Sequence, residues 1–201
     1  MASKTENLNM ALSHLGIGKD VANIETERSP EATAGRRFYD VARDFVAVQL
    51  PWPFLTKITT LALVEEDPND EWAYSYQYPS DCIHIRRILS GVRNDSRQTR
   101  SPYRITQGAS GKVIFSDVED AEFEYTVIPD DPSLYSADYT IAFSYYLAFL
   151  ISPRVTKGDQ FKLGQRALEL FEVFLSKAGA RLFNEEQAEQ LPEAEYITAR
   201  D

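Results

Sequence analysis

The sequence predicts an α+β fold: an antiparallel helical bundle interrupted by an inserted antiparallel β module, with an extended acidic C-terminal tail. Three observations carry that expectation. The middle of the chain alternates at period two, most visibly at Trp72, Tyr74, Tyr76 and Tyr78, and side chains two apart share one face of a strand. The flanking parts repeat apolar residues at spacings of three and four, as in Ala34, Phe38, Val41, Ala42, Phe45 and Val48, which is the period of a helix. Acids crowd the end, six against one arginine over residues 184–201, a composition that builds no core of its own. The expected division is a first helical part at 1–54, a β domain at 55–130, a second helical part at 131–184 and a tail at 185–201.

Taken in order, Thr5–Leu15 reads as a short helix capped by Thr5, with Leu8, Ala11, Leu12 and Leu15 on one stripe and Gly16 placed to end it. A loop follows to Glu27, with Val21 and Ile24 as its apolar anchors. Ser29-Pro30-Glu31 starts the second helix: a cap, a proline at the first helical position and an acid in the first turn. Pro51 and Pro53 stop it, and Pro51-Trp52-Pro53-Phe54 forms a corner between frame and β module. Leu55–Val64 is dense in β-branched residues and reads as one strand. Glu65–Glu71 reads as an acidic turn, too polar to bury.

Trp72–Tyr78 and Cys82–Ile88 read as a hairpin closed by Pro79-Ser80-Asp81, whose residues have turn chemistry. A basic loop spans Gly91–Ser101, and a second hairpin joins Tyr103–Gln107 to Lys112–Ser116 across Gly108-Ala109-Ser110-Gly111. Ala121–Ile128 alternates cleanly, with Phe123, Tyr125 and Val127 on one face. That makes about five or six strands, the usual size of a sheet or small sandwich. Ser136 caps Ala137–Ile151, a helix apolar nearly all round and therefore buried, which Ser152-Pro153 should end. Asp159 caps the last helix, which runs to about Asn184. Its seam of Gly164, Leu168, Phe171, Leu175, Ala178 and Leu182 alternates spacings of four and three. Two readings of that seam stand: a core-facing surface in a single molecule, or a contact with a neighbouring subunit.

Composition narrows the classes of function. The 201 residues are 43% hydrophobic and 26% charged, an ordinary globular balance. A lone cysteine, Cys82, excludes an internal disulfide. Met1–Asn9 is polar, so no secretory signal is expected, and the longest apolar stretch, Tyr139–Ile151, is thirteen residues. A membrane helix needs about twenty; a reducing, cytosolic compartment is expected during synthesis, with no membrane anchor. The net charge is −10. Yet His84–Lys112 holds seven basic residues, Arg86, Arg87, Arg93, Arg97, Arg100, Arg104 and Lys112, against Asp95. That segment is +6 and the remainder −16, a polarity suited to head-to-tail contacts or a charged partner.

No catalytic pattern emerges. The two histidines, His14 and His84, fit no metal spacing, and there is no phosphate loop, dinucleotide fingerprint or nucleophile elbow. Cys82 and His84 share a strand face without an orienting third group, so structural burial of Cys82 is expected. No enzyme activity, metal or cofactor is therefore expected. Tyrosines beside arginines are ingredients of a nucleic-acid stacking platform, but an acidic chain argues for packing at a core or interface instead.

The order of motifs is itself informative. An N-terminal helix ends in Leu15-Gly16; Ala42-Arg43-Asp44 lies in a long helix; Trp52-Pro53-Phe54 follows. Then come Trp72-x-Tyr74-x-Tyr76-x-Tyr78-Pro79-x-Asp81-Cys82, Ile114-Phe115-Ser116-Asp117 and an aromatic–alanine helix. Over residues 5–180 this resembles the tail tubular protein A family of short-tailed bacteriophages, the head-to-tail adaptors. The resemblance implies a helical bundle interrupted by a β domain. It also implies a homo-oligomeric, dodecameric ring between portal protein and tail nozzle protein, near the tail fibres, through which DNA passes without sequence-specific binding. It brings no catalytic residues, and it implies a location in the virion neck after assembly in the host cytoplasm. On that reading the interface candidates are Gly164, Leu168, Phe171, Leu175 and Ala178 of the last helix. The basic candidates are Arg86, Arg87, Arg93, Arg97 and Arg100, which would meet an acidic neighbour. The acidic surface would line the channel, and the acidic tail would dock on the portal. A nucleic-acid module, a cell-wall hydrolase of the tail and another neck protein are the alternatives.

Overall fold

The computed structural model describes residues 3–89, 100–108, 111–159 and 161–185. It is an α+β fold of helices α1 (Lys4–His14), α2 (Pro30–Gln49), α3 (Ala137–Val155) and α4 (Leu163–Glu185), with seven strands inserted between α2 and α3. The tail beyond Glu185 lies outside the described residues.

Helix α1 is capped two residues earlier than the Thr5 cap predicted. The Ser3 hydroxyl accepts from the Glu6 amide at 3.1 Å and caps the helix, while Thr5 Oγ1 accepts from Ile24 N at 3.2 Å and pins the following loop. Gly16, at φ +71°, ends the helix. With the chain reversed there, Ile17 N reaches Leu12 O and Gly16 N reaches Ser13 O, a Schellman closure. Val21 and Ile24 are buried as expected. In α2, Ser29 caps as predicted, but the buried face differs from the expected stripe. Ala34 and Ala42 of that stripe are buried and Phe38 packs on the core, with Ala32, Gly35, Tyr39 and Val46 facing inward beside them, but Val41 and Phe45 are exposed. The small residues win because α1 comes close there: a Cβ on Gly35 would sit within 2.9 Å of Leu8 Cδ1.

Helix α3 is the axis of the helical core, packing on α1, α2 and α4. It runs past Pro153 to Val155. The carbonyls of Ser152 and Pro153 are taken by Thr156 N and Gly158 N, both at 2.9 Å, so the last turn closes beyond the proline. Trp52 is buried beneath this bundle, its Nε1 donating to Val46 O at 3.1 Å and its ring edge-on to Tyr139 at 5.3 Å. Of the predicted corner, Trp52 is the buried anchor, while Pro51 and Pro53 are exposed.

The inserted module is a two-sheet sandwich. Its strands are β1 (Thr56–Thr60), β2 (Leu63–Asn69), β3 (Trp72–Gln77), β4 (His84–Leu89), β5 (Tyr103–Gly108), β6 (Gly111–Ser116) and β7 (Glu122–Thr126). One sheet has the order β1-β7-β4 and the other β2-β3-β6-β5, with every pair antiparallel. Tyr76 and Ile114 from the larger sheet join Ile85, Ile88, Phe123 and Tyr125 from the smaller in a second core, separate from the helical one.

Three strand expectations are corrected. The run Leu55–Val64 breaks at Leu61-Ala62 into β1 and β2, which lie in different sheets. The acidic run is not a turn but most of β2, an edge strand whose charges meet water. The β3–β4 hairpin does not form. β3 pairs with β2 and β6, β4 pairs with β7, and the turn at Pro79–Cys82 carries the chain from one sheet to the other. Alternation reports which face a strand buries, not which strand lies beside it. The predicted β5–β6 hairpin and the alternating strand β7 are both present.

Candidate functional site

Helix α4 is held by its start. The backbone N–H of Gly164 lies 3.0 Å from both carboxylate oxygens of Asp159, so Asp159 serves the helix end as the sequence suggested. Gly164, Phe171 and Ala178 are then buried against this protomer's own bundle, and Leu168 and Leu175 pack half-buried on the same core. For Gly164, Phe171 and Ala178 this corrects the assignment as subunit contacts: of the two readings of the seam, the core-facing one holds for these three. The large apolar side chains α4 turns outward are Val173 and, near its end, Phe183, which is 71% exposed. Phe45 of α2 also stands partly in solvent, stacked on Tyr146 of α3 at 4.4 Å.

The basic candidates divide similarly. Arg86 reaches back from β4 to the bundle, where Nη2 donates to Leu50 O at 2.6 Å and Ala47 O at 3.5 Å. It thereby satisfies carbonyls at the C-terminal end of α2, where the helix dipole favours a cation. Burial pulls its pKa down despite Glu124 nearby. Arg87 faces Glu124 across the β4–β7 pair and donates to it from Nε at 2.6 Å. Both arginines are therefore engaged within the protomer and are not free to meet a neighbour. Arg93 and Arg97 lie outside the described residues. Arg100 is exposed, as is Arg104 on β5, whose nearest acid, Glu71, is 3.6 Å away with both side chains mostly in solvent.

The tyrosine stripe points inward. Tyr76 is buried, its hydroxyl donating to Val118 O at 2.6 Å, and Tyr74 and Tyr78 pack on the same core. Cys82 is half-buried beside them, and burial raises its thiol pKa, which disfavours the thiolate. Among the described residues no cluster of three His, Cys, Asp or Glu side chains is placed to hold a metal.

One cavity, of about 190 Å³, is lined by His14, Tyr145, Leu163, Arg166, Ala167 and Leu170. His14 stacks on Tyr145 at 3.8 Å, and its Nε2 lies 3.0 Å from Ser144 Oγ. The Ser144 hydroxyl donates to Ile141 O at 2.8 Å. With that hydroxyl hydrogen on Ile141 O, the tautomer that fits is the one whose Nε2 donates to Ser144. That direction is opposite to the one a base activating a serine would use. Burial lowers the His14 pKa.

Sequence reasoning missed the four strand edges as surfaces, because pairing β3 with β4 hid them. The larger sheet ends in β2 on one side and β5 on the other. The signal was present: Glu65, Glu66 and Asp67 fall on one edge, and Arg104 on the other. Among the described residues no helix is long and apolar enough to cross a membrane. No family model and no curated protein matches the chain.

Proposed function

We propose that this chain is one subunit of a ring-shaped head-to-tail adaptor of a short-tailed phage, a structural connector between portal and tail nozzle through which DNA passes. The observation that carries the reading is the apolar surface left outside two already complete cores. Val41 and Phe45 on α2, Val173 and Phe183 on α4, and Leu63, Val64 and Ile105 on the sandwich all stand exposed. So many large apolar side chains, on both modules, suit a chain whose neighbours cover them. The motif order from Leu15-Gly16 to the aromatic–alanine helix supports the same family resemblance. The separation of the charge along the sequence, less the inward-turned Arg86 and Arg87, supports heterologous, head-to-tail contacts, which close into rings when the rotation permits.

The test is mass photometry of the purified chain, alone and mixed with portal rings of the phage that encodes it, followed by electron microscopy. A single ring seated on the portal is expected. A chain that stays monomeric and unbound at every ratio overturns the reading. Removing residues 186–201 and measuring attachment to portal-bearing capsids tests the tail separately; loss of attachment is expected of a docking arm.

A further inference from the structure

Among the described residues the larger sheet has two free edges of opposite charge. Edge β2 carries Glu65, Glu66 and Asp67, and edge β5 carries Arg104. Each edge also exposes apolar side chains: Leu63, 49% exposed, and Val64 on β2, and Ile105, 44% exposed, on β5. An edge strand presents unpaired N–H and C=O groups, and soluble proteins normally blunt it. Here β2 is blunted at one end, where Asp67 takes φ +49° and Pro68 lacks an N–H. The stretch Leu63–Glu66 is left open, and a register shift sets Leu63 and Glu65 on consecutive rows of the ladder.

Following partners across the sheet shows what those rows hold. Leu63 pairs with Tyr76, Tyr76 with Ile114, and Ile114 with Ile105. The next row runs from Glu65 through Ser75 and Phe115 to Arg104. Side chains directly opposite on antiparallel strands share a face. The first row is therefore the core-facing one, since Tyr76 and Ile114 are buried in its middle while Leu63 and Ile105 project beyond the core at either end. β2 and β5 run in opposite directions, being three antiparallel steps apart.

We infer that β5 of one copy pairs antiparallel with Leu63–Glu66 of the next, so that the larger sheets join into a continuous band. Without any shift of register, Ile105 meets the neighbour's Leu63 and Arg104 meets the neighbour's Glu65. The apolar row then extends across the boundary, and the ion pair forms on the opposite face. The contact is heterologous, using two different edges of each copy, and so it propagates around a ring. The occupant is a second copy of this chain, chosen by charge complementarity and by the matched rows. The inference rests on the adaptor reading for the closure of the ring, but not for the pairing itself.

The experiment places Leu63→Cys and Ile105→Cys together on a Cys82→Ser background. The chain is oxidised alone and after mixing with portal rings. A ladder of covalent multimers, reversed by reductant and absent from either single-cysteine chain, is the expected result. In parallel, Arg104→Glu is expected to weaken self-association severalfold. Adding Glu65→Arg to the same chain restores it, while circular dichroism confirms that each variant is folded. Rings on the portal without a ladder, with Arg104→Glu assembling like the parent, sink the edge pairing and leave the adaptor reading standing. A ladder without rings on the portal does the reverse. Folded monomers showing neither sink both.

Discussion

His14 shows how much a single side chain can be asked to do away from any reaction. It sits at the end of α1, stacked on Tyr145 of α3, which stacks in turn on Phe174 of α4 at 5.2 Å. Three helices thus meet through one ladder of rings. Because burial lowers its pKa from 6.5, the unfolded chain takes up the proton first as the pH falls. Stability then rises with pH wherever the unfolded state binds more protons. The melting temperature is therefore expected to fall as the pH is lowered from neutral through 6.5 and below. His84, whose pKa burial also lowers, acts with the same sign, so His14→Gln should flatten the slope without abolishing it. Asp81, held below its usual range by the bond from Lys57, loses its contribution in a separate, more acid window below 3.8. Melting curves of parent and His14→Gln across this range decide the matter; parallel curves would exclude His14 as a source of the slope.

At the scale of elements, what was legible in the sequence is what short-range chemistry dictates. Ser29-Pro30 and Ser136 cap their helices as expected, with Ser136 Oγ accepting from Tyr139 N at 3.3 Å. Gly16 ends α1, and β5 and β6 pair across their glycines. What was not legible depends on partners distant in sequence. Periodicity put Val41 and Phe45 on a stripe, but the close approach of α1 rotated α2 to bury its small residues instead. The seam of α4 was visible, yet nothing local said that α3 would cover it. Gly164 marks that cover. A Cβ there would lie 2.8 Å from Ser152 Cβ on α3 and 2.9 Å from Asp159 Oδ2. Both distances are shorter than real contacts, so α3 and α4 would have to part. Overpacking of this kind costs about 1–3 kcal/mol. Gly164→Ala is expected to lose that much in urea titration. Gly179→Ala, in the same helix, meets only a flexible Leu50 methyl at 3.3 Å. It should be neutral, or gain from the roughly 1 kcal/mol advantage of alanine over glycine in helices. Equal losses at the two positions would remove the close α3–α4 contact as the explanation.

The described residues form two cores, one in the helical bundle and one in the sandwich. The helical core gathers residues from both ends of the described chain, and the sandwich core lies between them in sequence. Val127 N donates to Leu55 O at 2.8 Å where the chain leaves and returns to the bundle. Beside that, the Arg86 side chain spans from one to the other, with its guanidinium on the last carbonyls of α2. It also reduces the outward charge of the basic segment, since Arg86 and Arg87 both turn to partners within the chain. Arg86→Met keeps the apolar stem and removes the donors. The carbonyls of Ala47 and Leu50 then lose that partner, at a cost of about 1–3 kcal/mol. Because the loss falls on the junction and not inside either core, the two modules should begin to melt apart. Far-ultraviolet dichroism follows the helices, and near-ultraviolet dichroism reports on tyrosines packed in both modules, including Tyr76 and Tyr125 of the sandwich. The two signals are expected to coincide in the parent and to separate in Arg86→Met. Coincident transitions at an unchanged midpoint would mean that the backbone crossings alone couple the cores.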